Sequence, residues 1–139
     1  MELRERKSHL AVEYLFQQAQ KSEPVRNARI CAGLLYKGEL IATGFNRLKS
    51  HPFQKRFGKN EDAIFLHAEI DCFINALGSD PGILRDLPKC TLLVVRSKRN
   101  PAGWCKGLAK PCSGCQRAIA HFGINRVYYT SDEETLECL

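Results

Sequence analysis

An α/β domain of three layers, a central mixed sheet with helices on both faces, is predicted by three observations in the 139-residue sequence. Two apolar runs, residues 30–36 and 40–45, are joined across Lys37-Gly38-Glu39, which is hairpin punctuation between strands. Two later runs, residues 91–95 ("TLLVV") and 126–130 ("RVYYT"), flank a helical stretch, so these last two strands should lie parallel through a right-handed crossover. Helical apolar spacing occurs in three further segments, enough to clothe both faces of such a sheet.

The elements follow in order. Residues 2–20 place Leu3, Leu10, Val12, Tyr14, Leu15, Phe16 and Ala19 at helical spacing, and Pro24 marks the end. The hairpin comes next. Residues 47–62 are polar and basic and carry Pro52 and Gly58, so they read as a loop, and a loop of that length in a small domain is functional or disordered. Residues 63–77 return to helical spacing until Gly78, Pro81 and Gly82. After the strand at 91–95, the stretch "SKRNPAGWCKGLAK" contains Pro101, Gly103 and Gly107 and reads as a second loop. Residues 112–122 form a helix stopped at Gly123, and the strand at 126–130 follows. No repeat, low-complexity segment or linker divides the chain, so residues 1–139 are read as one domain; the tail "SDEETLECL" receives no assigned role.

An apolar content of 44% is sufficient for one core. The amphipathic N-terminus and the absence of any run of about 18–20 apolar residues lead us to expect a soluble, cytoplasmic protein with no membrane partner. Seven irregularly spaced cysteines do not resemble a paired secretory framework, so free or metal-bound thiols are expected. The net charge of +6 is unevenly placed. No acidic residue lies between Leu87 and Ser131, a stretch that holds Arg96, Lys98, Arg99, Lys106 and Lys110, and a second basic cluster holds Arg47, Lys49, Lys55, Arg56 and Lys59. Such clusters serve either as a solvated face or as a surface for an anion, a nucleotide phosphate or a nucleic-acid backbone.

Two helices begin with metal-ligand residue types. His67-Ala68-Glu69 opens one and Cys112 opens the other, with Cys115 one turn later. Alone, Cys112-x-x-Cys115 would serve equally as a redox pair or a fragment of a structural zinc knuckle. Thiols at i and i+3 share a helix face at its positive end, and one imidazole from the other helix would give three protein ligands with a fourth position left for water. That is the composition of a catalytic zinc site, since structural sites are closed by four protein ligands. Glu69 could then stand beside the open position and move protons.

The combination His67-x-Glu69 with Pro111-Cys112-x-x-Cys115 resembles the signature of the cytidine/deoxycytidylate deaminase superfamily, zinc enzymes acting on nucleobases, over roughly residues 29–130. The resemblance implies the cytidine-deaminase-like fold, Zn²⁺ on His67, Cys112 and Cys115, Glu69 as proton shuttle, and a homo-oligomer. It also assigns a substrate contact to Asn46, within Gly44-Phe45-Asn46, and to the backbone of Ala68, although Asn46 could simply cap a turn. Cys31, Cys72, Cys90 and Cys138 are read as small or incidental apolar residues, Cys105 as a loop thiol, and His9, His51 and His121 as non-ligands. The tRNA-adenosine branch typically reads Thr-Leu-Glu before Pro-Cys, whereas Leu108-Ala109-Lys110 stands here, and the stretch from Asn46 to His67 is longer than in that branch. The implied reaction is hydrolysis of dCMP to dUMP and ammonia on an anionic nucleotide. A deaminase acting on single-stranded DNA or RNA is the alternative, with Phe53, Phe57 and Trp104 as stacking platforms, and a catalytically silent zinc-bearing nucleic-acid-binding module is a third.

Overall fold

Strand alternation organises the molecule. In the computed structural model, which describes residues 3–58 and 65–139, β1 (Arg29–Tyr36) pairs antiparallel with β2 (Glu39–Phe45) and with β3 (Thr91–Asn100). Cys31 and Leu35 of β1, with Leu93 and Val95 of β3, bury against α1 (Leu3–Lys21) through Val12, Leu15 and Ala19. Ala32 and Leu34, with Leu92 and Val94, face the other way into a core built with α3 (Ala68–Ser79) and α4 (Ser113–Phe122). Because side chains of a strand alternate sides, apolar residues at consecutive positions require cover on both faces, and the three-layer arrangement follows.

The sheet order is β2-β1-β3-β5-β6, with β5 spanning Arg126–Thr130 and β6 Leu136–Cys138. The β3–β5 pair is parallel, as the crossover through α4 predicts. The β1–β2 turn places Lys37 at φ 52° and Gly38 at φ 80°, the left-handed pair that matches strand twist in a two-residue hairpin. Gly123, at φ 75°, ends α4 with the left-handed cap expected of it.

Four local readings change. The first helix lies where expected, Glu2 being outside the described residues. Inside the expected loop 47–62 a helix, α2 (Pro52–Gly58), forms, while Lys59–Asp62 lie outside the described residues. It is held by tertiary packing: Phe57 lies against His121 and Phe122 of α4, and Arg117 Nε donates to Phe57 O at 2.8 Å. The helix expected from residue 63 starts at Ala68; residues 65–67 are not helical, and 63–64 lie outside the described residues.

The expected loop at 97–110 is largely a hairpin. β3 runs on to Asn100, Asn100 Oδ1 accepts from Ala102 N in a tight turn, and β4 (Gly103–Gly107) returns along it. β4 occupies the edge of outer β3 that continues the one taken by β5 on inner β3. The acidic tail has a structural task as well. Asp132 accepts from Lys98 Nζ at 2.9 Å and Leu108 N at 3.1 Å, and Glu134 accepts from Lys106 N at 2.9 Å, so the tail braces the basic hairpin. No described helix is long and apolar enough to cross a membrane.

Candidate active site

His67 and Cys112 both occupy N-cap positions. His67 has extended backbone, φ −83° and ψ 154°, immediately before α3, and Cys112, φ −69° and ψ 172°, immediately before α4. His67 Nδ1 lies 3.4 Å from Cys112 Sγ and 3.4 Å from Cys115 Sγ, and the three ligand atoms lie within 4.8 Å of one another. Two donors on one tetrahedral zinc ion, at about 2.1 Å for nitrogen and 2.3 Å for sulfur, stand about 3.6 Å apart. The donor set and its spacing therefore fit Zn²⁺.

The helix ends prepare the thiols for that ion. A hydrogen bond from the Cys115 thiol, with help from His67 and from the Cys115 backbone N–H, brings the Cys112 pKa down to about 3 despite partial burial. Cys115, fully buried, moves the other way, because its proton is held by the neighbouring Cys112 thiolate and burial adds to the effect. In the metal-free pair one sulfur is thus already a thiolate.

Glu69 stands in the first turn of α3 and is 5% exposed. Burial raises its pKa above the ordinary 4.5, with His67 pulling it partly back. Glu69 lines a cleft of about 300 Å³ that also contains His67, Ala68, Cys112 and Asn46, so the fold brings together all the site residues named from sequence except Cys115, buried just behind. A groove of about 390 Å³ lies on the other side of Asn46 and holds none of the metal-ligand types identified.

Asn46 is tied into the scaffold. Its Nδ2 donates to Ala28 O at 2.8 Å and its Oδ1 accepts from Ile30 N at 3.1 Å, which fixes the wall formed by residues 28–30. One amide proton and one lone pair remain for a ligand. Gly44 explains why this corner is so tight: a Cβ there would stand 2.6 Å from Ala68 O and 2.7 Å from the Asp71 carbonyl carbon, and would strike Cys72 N. β2 thus presses its backbone onto α3, and buried Asp71 seals the junction by accepting from Phe45 N at 2.9 Å and Arg47 Nε at 3.0 Å.

Sequence reasoning gave three residues no individual role at the site, Arg96 having been noted only as one of a basic stretch. Asp71 had a faint signal, a second carboxylate in the first turn of α3. Arg96 is the first residue after "TLLVV"; it lines the cleft with its Nε buried and without a hydrogen-bond partner among the described residues. Bare Gly107 lies against its stem, since a Cβ there would stand 3.2 Å from Arg96 Cδ. Gln54 carried no local signal. Lys110 is exposed at the cleft rim.

Of the three expected stacking platforms, Trp104 and Phe57 fall elsewhere and Phe53 packs, partly buried, against the core. Trp104 pairs across the hairpin with Arg99 and lies under the guanidinium groups of Arg99 and Arg29, at 4.9 and 5.3 Å from its centroid. By alternation this is the face of Ser97, whose Oγ donates to Phe16 O of α1, the side of the sheet opposite to Val94 and Arg96. Phe57 is buried in the core.

A family model described as the cytidine and deoxycytidylate deaminase zinc-binding region matches residues 5–131. No curated protein matches the sequence. Among solved structures, the dCMP deaminase of cyanophage S-TIM5 in complex with dCMP and dUMP superposes with a TM-score of 0.57 at 18% identity, covering 95% of this chain and 85% of that one. Its apo form gives 0.55 at 19% identity, covering 95% and 86%. A structure from studies of A-to-I editing by tRNA deaminases at the wobble position gives 0.50 at 24% identity, covering 93% and 77%. These likenesses concern the fold.

Proposed function

From a chain that belongs to the cytidine and deoxycytidylate deaminase family and is a zinc-dependent deaminase, we propose the hydrolysis of dCMP to dUMP and ammonia. The observation that carries the substrate class is Arg96, a guanidinium side chain that lines the cleft and whose buried Nε has no hydrogen-bond partner among the described residues. A cation kept in such a place is stabilised by an anion, and a phosphate oxygen is the natural acceptor for it. Lys110 and Arg26 line the same cleft and favour the same charge. The volume, about 300 Å³, is at the small end of ligand pockets and suits one nucleotide. A polymer would call for several aromatic platforms along a track; Phe57 is spent in the core, Trp104 lies on the opposite face, Phe53 packs against the core, and Phe65, under the Arg26 guanidinium, is the one phenyl ring among the described residues that lines the cleft.

His67, Cys112 and Cys115 would hold zinc, and the ion, when bound, would supply Lewis acidity that lowers the pKa of a water toward neutrality. Glu69 takes a proton from that water as the water oxygen bonds to the amino-bearing ring carbon. Glu69 then passes that proton to the adjacent ring nitrogen, collects the second proton from the hydroxyl now on the ring carbon, and delivers it to the amino group, which leaves as ammonia as the C–N bond breaks and the carbonyl forms. A buried carboxylate, whose burial favours the protonated form more than water does, suits this double duty of accepting and returning a proton. Ala68, at the first turn of α3, has a backbone N–H with no partner inside its helix and can read the polar edge of the base. Asn46 offers its remaining amide proton to the sugar.

The test is direct. Purified protein is incubated with dCMP, cytidine and a single-stranded oligonucleotide, and released ammonia and uracil product are measured. Turnover of dCMP is expected; turnover of the oligonucleotide alone would overturn the substrate assignment, and inertness toward every cytosine or adenine substrate would indicate a silent fold.

A further inference from the structure

α2 links the two halves of the metal site. Its Phe57 lies against α4, whose N-terminus carries Cys112 and Cys115, and Arg117 of α4 donates to Phe57 O. Toward α3 it presents Gln54, a side chain with no exposed surface. Gln54 Oε1 accepts from His67 N at 3.0 Å, and because the donor is a backbone N–H, the oxygen end of the amide must be the one that faces it. The other end, Nε2, is buried without a partner among the described residues.

An amide buried this way leaves a donor unsatisfied, which costs about 1–3 kcal/mol. An apolar residue would avoid that cost, so the acceptor oxygen is the feature that earns the position. His67 makes no side-chain cap hydrogen bond at the head of α3; its carbonyl accepts from Asp71 N and the Arg47–Leu66 bridge holds the chain just before it, so Gln54 Oε1 ties down the His67 N–H itself. We infer that Gln54 is a positioning residue for the metal site: its Oε1 fixes the backbone of His67 so that the imidazole meets the two sulfurs of α4, and α2 holds that distance. The inference rests on His67, Cys112 and Cys115 binding zinc.

The experiment measures zinc affinity by chelator competition, well below the melting temperatures of the proteins, and the absorption spectrum of the Co²⁺-substituted forms. Gln54→Leu removes the acceptor and keeps the bulk; it is expected to bind zinc about 10- to 100-fold more weakly and to shift the cobalt bands. Gln54→Glu keeps an acceptor oxygen at the same reach and is expected to stay within threefold of wild type. Should Q54L not fold, Gln54→Asn, which withdraws the acceptor by one methylene, takes its place with the same expectation. A merely structural role would lower the melting temperature of Q54L and leave both metal readouts unchanged, and that result overturns the inference, as does a Q54E protein weakened as much as Q54L. A wild-type chain that takes up no zinc would sink the metal reading itself, whereas zinc-loaded wild type alongside an unweakened Q54L would sink this inference alone.

Discussion

His67 Nδ1 lies 3.4 Å from the sulfur of Cys112, although 45 residues separate the two, and each residue is the N-cap of its own helix. The positive ends of two helices therefore converge on one point, which favours a thiolate there. Glu69, in the first turn of α3, is the only buried carboxylate among the described residues that lines this cleft.

Replacing Glu69 by Gln keeps the shape and removes the base. Zinc content should stay at wild-type level while ammonia release from dCMP falls by about 10²- to 10⁴-fold; full activity would refute the proton-shuttle role.

The same carboxylate should weaken the fold. Between 4.5 and its raised folded pKa, the native state holds a proton that the unfolded state has lost, so this group's contribution to stability falls as pH rises through that window. Metal-free E69Q should accordingly melt higher than metal-free wild type at pH 7, with the gain disappearing below pH 4.5. Equal melting temperatures at pH 7 would count against the burial argument.

Arg96→Met should lower kcat/KM for dCMP by roughly 10- to 100-fold, the worth of one or two hydrogen bonds to a charged group, and leave deoxycytidine, which has no phosphate, unaffected. Trp104→Ala should leave dCMP turnover unchanged, because the indole lies on the α1 face of the sheet. Equal losses on dCMP and deoxycytidine in R96M would assign Arg96 to packing instead.

Buried thiols predict loss of stability in alkali. Burial raises Cys31 to about 12 and Cys90 to about 11, from an ordinary 9.0, so the native state retains protons that the unfolded chain releases. Stability from these groups is whole below pH 9 and declines above it, by up to about 1.4 kcal/mol per pH unit for each thiol. Cys31→Ala, compared with wild type by urea unfolding at pH 8 and pH 10.5, should show a shallower decline; parallel declines would disprove the role of Cys31.

Gly44→Ala should cost several kcal/mol, because its Cβ would meet the backbone of α3, which has no flexible end to give way. Denaturant unfolding measures the cost. A loss below about 1 kcal/mol would mean that β2 and α3 separate more easily than their packing implies.

The residues of the proposed site were readable because their relationships are short. His67 to Glu69 and Cys112 to Cys115 span two and three positions at helix starts, where spacing alone places side chains on one face. The strands at 30–36, 40–45, 91–95 and 126–130 were readable for the same reason, since alternation and turn chemistry act within a few residues. α2 and β4 were not. Pro52, Gly58, Pro101, Gly103 and Gly107 are local signals for loops, and a seven-residue helix is too short to persist in water unaided. What stabilises α2 is Phe57 on Phe122 and Arg117 on Phe57 O, and what stabilises β4 is its pairing with β3 and the carboxylates of the tail. Arg96 in the cleft, Trp104 on the far face and Gln54 behind His67 are consequences of the same long-range packing. Local backbone preferences are written into neighbouring residues, but the side of a sheet on which a cation ends up, and the distance between two helix ends, depend on contacts between segments far apart in the chain, whose energies no short window of sequence contains.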